Sequence, residues 1–139
     1  MAVNKKWDKR FLAMASLISG WSKDPSTQCG AVIVDYQHRI ISMGYNGFAR
    51  GVTDSQASLD LRDNKYEMIL HAETNAILFA QQDLNGCPFQ PCSRCAAVLI
   101  QAGIERVVAP DLIPERWEHS FALANKMYMD AKVGMTLYA

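Results

Sequence analysis

The chain has 139 residues, half of them hydrophobic and a fifth charged, which argues for one globular domain with a core of ordinary size. Fourteen basic residues balance fourteen acidic ones, so the composition offers no basic face of the kind that long nucleic acids require. No apolar run reaches the roughly 18 residues of a membrane span, and the basic start MAVNKKWDKRF has no apolar stretch behind it, so neither a membrane anchor nor a secretory leader is expected.

In chain order, Trp7, Phe11, Met14, Ala15, Ile18 and Trp21 recur at helical spacing and predict an amphipathic helix over residues 5–21. SKDPSTQ breaks that pattern at Pro25. CGAVIVD and RIISMGYN are short, β-branched runs joined by YQH, and they predict a hairpin. Residues 46–66 are polar and read as a long loop, which in a compact domain usually carries function. EMILHAETNAILFAQQ predicts a helix. SRCAAVLIQAG predicts another, ending at Gly103 as its C′ residue. IERVVAP reads as a strand. A long last helix follows Pro114, marked by Trp117, Phe121, Ala124, Tyr128 and Ala131, and VGMTLY closes as a strand. After the opening helix and hairpin, helices and strands alternate. That is the pattern of an α/β domain with helices on both faces of a mixed sheet.

The chemistry concentrates in HAETNAI and QPCSRC. Cys92 and Cys95 stand three apart at the start of a helix, so both thiolates reach one ion. The positive end of the helix dipole favours the thiolate form there. Pro91 costs nothing at a helix start, where the first amides have no intrahelical partner. One histidine and two thiolates, His71 with Cys92 and Cys95, make a donor set suited to zinc. Three protein ligands leave the fourth tetrahedral position open, as in a catalytic site. Glu73 is then a general base and proton shuttle beside that position. On a regular helix residues i and i+2 point about 200° apart, so His71 and Glu73 converge only if they occupy the first turn. Two other readings stand beside this one. Cys87 is available as a fourth ligand that would close a structural zinc site, and a lone C-x-x-C also serves redox chemistry. The joint pattern of H-A-E followed by P-C-x-x-C matches the signature of zinc deaminases.

The chain resembles the cytidine and deoxycytidylate deaminase superfamily, and within it the deoxycytidylate (dCMP) deaminases. WDKRFLAMASLIS, SKDPSTQCGAVIVD, IISMGYNGFARG, HAETNAIL, PCSRCAAVLIQAGIERVV and MDAKVGM carry the likeness in family order over nearly the whole chain, and GYNG with SKDP points to the dCMP branch. The resemblance implies a three-layer α/β/α fold around a five-stranded mixed sheet. It implies hydrolysis of dCMP to dUMP and ammonia for thymidylate synthesis, with one catalytic zinc per chain and Glu73 handling the protons. It also implies a homo-oligomer, often a hexamer, activated by dCTP and inhibited by dTTP with magnesium, while four cysteines without an expected leader suggest a reducing compartment, so a cytoplasmic location is expected. Gly44, Tyr45, Asn46 and Gly47 are then expected near the effector or the substrate sugar, with Arg50 and Lys65 offering charge at the two ends of the polar loop. The backbone N–H of Ala72 is expected on the pyrimidine carbonyl. Ser22 and Lys23, with Arg50, Arg62 and Lys65, are the candidates for the substrate phosphate. Each of these side chains has a plain alternative as a solvated surface or turn residue.

One departure stands out. The return AQQDLNGCPFQPC is short and carries Pro88 and Pro91, so the third strand is expected to be very short, distorted or absent. His38, His119, Cys29 and Cys87 form no cluster in sequence. The two histidines are expected at the surface and the two cysteines as packed small hydrophobes. Rival readings are a deaminase of another nucleotide, nucleoside or base, a nucleic-acid-editing deaminase, and a non-catalytic zinc-stabilised module.

Overall fold

The structure, a computed structural model, describes residues 3–52, 68–80, 93–111 and 115–139. The chain opens with α1 (Lys5–Ser19), capped by the Asn4 side chain, which accepts the Trp7 N–H at 3.3 Å. The helix stops two residues before the expected end, because the Gly20 and Trp21 N–H groups turn back to the Leu17 and Ile18 carbonyls. A hairpin follows, β1 (Gly30–Val34) and β2 (Ile40–Tyr45), paired antiparallel with Ala31 opposite Gly44. Its turn is held by Asp35, whose carboxylate accepts from the Gln37 and Arg39 N–H groups and the Arg39 guanidinium.

Next come β3 (Gly47–Phe48) and β4 (Ile69–Leu70), which pair with each other, and then α2 (Ala72–Phe79). Here the structure corrects the sequence reading twice. Gly47 and Phe48, expected in the polar loop, form a strand. Ile69 and Leu70, expected inside a helix from residue 67, form its partner. A short apolar run such as MIL fits helix or strand by pattern alone, and the partner strand decides. After α3 (Ser93–Gln101) the chain turns at Gly103, whose φ of 94° suits a residue without a Cβ. It continues as β5 (Arg106–Pro110), a 3₁₀ turn at Glu115–Trp117, α4 (Glu118–Asp130) and β6 (Gly134–Tyr138), with β5 and β6 parallel.

The layers follow from β1. Alternate residues of a strand face opposite sides, and all four from Ala31 to Val34 are buried. Val32 and Val34 pack with Ile18, and Phe11, Met14 and Ala15 of α1 join them. Ala31 and Ile33 face the other way, into a core with Ala72 and Ala76 of α2, Ala96 and Leu99 of α3, and Ala124 and Tyr128 of α4. The result is a three-layer α/β/α arrangement around antiparallel and parallel strand pairs. The expected third strand falls in residues 81–92, outside the described residues.

Two glycines set how closely helices approach the hairpin. A Cβ on Gly30 would lie 2.0 Å from the Ala15 carbonyl oxygen, and one on Gly44 would lie 2.4 Å from that of Ala72. α1 and α2 therefore rest on the strands backbone to backbone. The chain ends are joined by a buried pair. Both terminal nitrogens of Arg106 on β5 donate to the Asp8 carboxylate on α1, and the Tyr138 hydroxyl on β6 donates to it at 2.7 Å. Among the described residues no helix is long and apolar enough to cross a membrane.

Candidate metal centre and active site

The site is built where β4 runs into α2. His71 is the N-cap residue of α2, with extended backbone (φ −73°, ψ 155°) and no capping hydrogen bond from its side chain. Glu73 is the second helical residue. The extended backbone at the cap breaks the 200° relation of a regular helix, and both side chains turn beyond the helix start. The Glu73 Oε2 atom lies 4.0 Å from His71 Nδ1. Cys95, on the first turn of α3 and 4% exposed, completes the group. Its Sγ atom is 3.3 Å from His71 Nδ1 and 3.7 Å from Glu73 Oε2. One ligand atom from each of the three residues lies within 4.8 Å of the others.

The donor set fits zinc. Bonds of about 2.3 Å to sulfur and 2.0 Å to nitrogen at tetrahedral angles hold those donors about 3.5 Å apart, close to the 3.3 Å between Cys95 and His71. Soft sulfur with imidazole selects zinc over magnesium or calcium, which prefer oxygen. Thr74, which the sequence reading passed over, brings its hydroxyl to 3.5 Å from Cys95 Sγ. Against a thiolate only the hydroxyl can donate, so Thr74 supports the sulfur from outside the ligand set. Nothing in HAETNAI singles Thr74 out, because the contact is made across two helices.

Cys92, the third expected ligand, lies outside the described residues, as do Cys87, Arg62 and Lys65. The other expected residues fall into two groups. Ser22 and Asn46 are buried and bonded to each other, with the Ser22 hydroxyl donating to the Asn46 carbonyl at 2.8 Å. Gly44 is buried against the backbone of α2, and Ala72 is fully buried at its start. Lys23, Tyr45 and Arg50 are exposed. Tyr45 meets Trp21 edge to face at 6.2 Å, and the Arg50 guanidinium sits 5.4 Å from the centre of the Phe79 ring. Gln28 and Cys29 line one cavity together with Glu73. Cys29, expected as a packed small hydrophobe, is exposed. It precedes the first buried residue of β1, at the end of a loop tied down by its backbone. His38, expected at the surface, is half-buried and stacks on Trp7 at 4.5 Å. His119 is exposed, as expected.

Comparison with known proteins bears on this geometry. Residues 5–110 match the family described as the cytidine and deoxycytidylate deaminase zinc-binding region. An uncharacterized deaminase in the luxG 3′ region of Aliivibrio fischeri is 48% identical over 138 residues, covering 94% of this chain and 92% of that protein. Deoxycytidylate deaminases of Pongo abelii and Homo sapiens are 39% and 38% identical over 113 residues, 74% of this chain. This chain spans only 64% of the length of each. Among solved structures, a dCMP deaminase from the cyanophage S-TIM5, crystallised with dCMP and dUMP, superposes with a TM-score of 0.80. At 21% identity over 99% of this chain and all of that one, the likeness establishes the fold. Together with His71, Glu73 and Cys95 converging on one point, these matches make the chain a deaminase that belongs to the cytidine and deoxycytidylate deaminase family.

Proposed function

We propose that the protein hydrolyses dCMP to dUMP and ammonia, with zinc held by His71, Cys92 and Cys95 and with Glu73 as the proton carrier. The observation that carries this reading is the Glu73 carboxylate placed beside the His71–Cys95 donor pair. A structural zinc site has no use for a carboxylate there. Bound at this point, zinc supplies an acidified water molecule and a counter-charge for the developing negative oxygen.

The rest falls to the chain's own residues. Glu73 takes a proton from the attacking water and delivers it to ring N3. Oxygen bonds to C4, which becomes tetrahedral. Glu73 then carries the hydroxyl proton to the amino group, the C4–N bond breaks, and ammonia leaves. The Ala72 N–H, at the free start of α2, is suited to the pyrimidine carbonyl. Ser22, Lys23 and Asn46 border the loop that ends at Gln28 and Cys29 on the cavity wall, which supports their assignment to the sugar and phosphate end. The names of the deoxycytidylate deaminase relatives support dCMP among the cytosine compounds.

Regulation belongs to the same reading. dCTP and dTTP, each carrying magnesium, are proposed to compete for a site at the turn from Gly44 to Gly47, with Arg50 and Lys65 meeting the phosphates. Three features support it. A Cβ on Gly47 would meet nothing within 4 Å among the described residues, Arg50 is exposed beside that turn, and the β3–β4 ladder ends directly before His71. Assembly into a cytoplasmic homo-oligomer, a hexamer, completes the proposal, with dUMP passing to thymidylate synthesis. The exposed apolar side chains Leu17, Trp21, Met43 and Tyr45 support assembly.

The test is ammonia release by zinc-loaded protein from dCMP, CMP, deoxycytidine and dCTP. Turnover of dCMP at the highest kcat/KM is expected, and no release from dCMP overturns the reading. Saturation curves for dCMP with each triphosphate test regulation. Coupling of about 1–3 kcal/mol is expected, and curves that ignore both triphosphates remove the regulatory part alone.

A further inference from the structure

We infer that Ser42 is a positioning residue: its hydroxyl, bonded to the last turn of α2, fixes that helix on β2 and so holds His71 and Glu73 in register with Cys95. The inference rests on the proposed deaminase reading of that centre.

Ser42 lies in the middle of β2, opposite Ile33 of β1. Alternate residues of a strand share a face. Ser42 and Gly44 are buried on one face of β2, while Met43 and Tyr45 are exposed on the other. The buried face is turned to α2, because a Cβ on Gly44 would meet the backbone of Ala72 and Ala76. Ser42 sits among apolar neighbours there, for Ile33 and Ala76 are fully buried members of the core. A hydroxyl in such a place costs stability unless it is hydrogen-bonded. It donates to the Ala76 carbonyl at 2.7 Å.

The helix has a use for that donor. α2 is eight residues long, too short to hold its own conformation in water. Its last four carbonyls have no partner farther along the helix. The amide that would reach Ala76, that of Ala80, turns instead to the Ile77 carbonyl at 3.2 Å. The Ser42 hydroxyl takes its place. One residue earlier, Asn75 Nδ2 donates to the Tyr45 carbonyl at 2.8 Å. A single bond would be a pivot, whereas two bonds from neighbouring residues fix both the rotation of α2 and its slide along the strand. His71 and Glu73 are carried at the start of this helix, but Cys95 is carried on α3. The 3.3 Å and 3.7 Å from Cys95 Sγ to His71 Nδ1 and Glu73 Oε2 therefore depend on where β2 sets α2.

The test separates position from stability. Ser42→Ala deletes the donor and Ser42→Thr keeps it. Tyr138→Phe removes a hydrogen bond to Asp8 of α1, on the opposite side of the strands, and is the control for lost stability alone. Cobalt(II) loaded in place of zinc is the probe, because its visible absorption bands respond to the angles among its ligands. In Ser42→Ala these bands are expected to shift. Zinc binding is expected to weaken about tenfold and amide exchange over residues 72–79 to quicken about tenfold, as for a buried acceptor left unsatisfied. Turnover of dCMP is expected to fall about ten- to a hundredfold as Glu73 leaves its line. Ser42→Thr is expected to restore all four readings, and Tyr138→Phe to leave the bands and the exchange of residues 72–79 unchanged.

Ser42→Ala with the cobalt bands of the wild type overturns the inference. So does a Tyr138→Phe that shifts them equally, since Ser42 would then contribute stability only. If the wild type binds no metal or releases no ammonia from dCMP, the deaminase reading fails on its own. The exchange measurement then still decides whether Ser42 holds α2, and unchanged protection in Ser42→Ala overturns that. Should Ser42→Ala or Ser42→Thr not fold, Ser42→Cys keeps nearly the same shape with a weaker donor. It must show a smaller change of the same kind, and wild-type bands with wild-type exchange overturn the inference there too.

Discussion

Glu73 and Cys95 stand 22 residues apart in sequence on two different helices, and each predicts a separate measurement. Glu73→Gln removes the proposed proton carrier but leaves His71 and Cys95 in place. It is expected to keep zinc and fold while kcat falls about 10²–10⁴-fold, the usual contribution of general acid–base catalysis. Metal analysis beside ammonia release checks both halves. Thr74→Val keeps the shape of the side chain and deletes the hydroxyl that faces Cys95 at 3.5 Å. Zinc affinity is expected to drop about 10–100-fold, as for other groups that support a metal ligand, read by competition with a chelator of known affinity. Thr74→Ser should restore it. His71, Glu73 and Cys95 were legible in the sequence because the signature names them. Thr74 was not, because a threonine in a helix carries no mark of what lies across from it.

At the scale of the element, the junction of β2 and α2 controls the site. A Cβ on Gly44 would lie 2.4 Å from the Ala72 carbonyl oxygen and 2.6 Å from the Ala76 nitrogen, both backbone atoms that cannot swing away. Gly44→Ala therefore has to push α2 off the strand, carrying His71 and Glu73 with it. A loss of about 1–3 kcal/mol in stability is expected from such overpacking, measured by chemical denaturation, together with weaker zinc binding. Gly47→Ala is the control, since nothing among the described residues lies within 4 Å of its Cβ position. It should leave stability unchanged, so an altered response to a triphosphate in that variant reads as a ligand contact. The two glycines belong to one GYNG motif, yet the motif itself does not separate the packed one from the open one. The helix of residues 67–82 was misread at its start for a related reason. Ile69 and Leu70 have no pattern of their own and take their conformation from Gly47 and Phe48.

At the scale of the whole molecule, the Asp8–Arg106–Tyr138 group ties the first helix to the last two strands. Burial works against the charged form of Asp8, but hydrogen bonds from Arg106 and Tyr138 outweigh it and hold the carboxyl below its ordinary 3.8. The hydrogen bond to Asp8 raises Tyr138 above its ordinary 10.0. The signs follow by linkage. The Asp8 contribution is complete above the ordinary carboxylate value and is lost as pH falls through the depressed one. The Tyr138 contribution is complete below pH 10.0 and is lost as pH rises through the raised value. Stability measured against pH should therefore be flat between these limits and fall on both sides, and in Tyr138→Phe the alkaline fall should shrink. Arg106→Met leaves the Asp8 charge buried without its partner and is expected to cost about 3–5 kcal/mol. The double change Asp8→Leu with Arg106→Met should recover most of that, because two apolar side chains need no compensation.

The first helix, the β1–β2 hairpin, the last helix and the closing strand followed from the sequence alone, as did the grouping of His71, Glu73 and Cys95 as candidates for one metal centre. Those features rest on local spacing and on residue chemistry, and both are written along the chain. The tertiary structure alone decided that His71 caps α2 in an extended conformation and so points with Glu73, although the two stand at i and i+2. It decided that the Ser42 hydroxyl meets the Ala76 carbonyl, and that Asp8 finds Arg106 ninety-eight residues away. In each case the outcome depends on which buried donor meets which acceptor across the core. A polar group removed from water takes whichever partner the packing brings within reach, and no local pattern states which one that is.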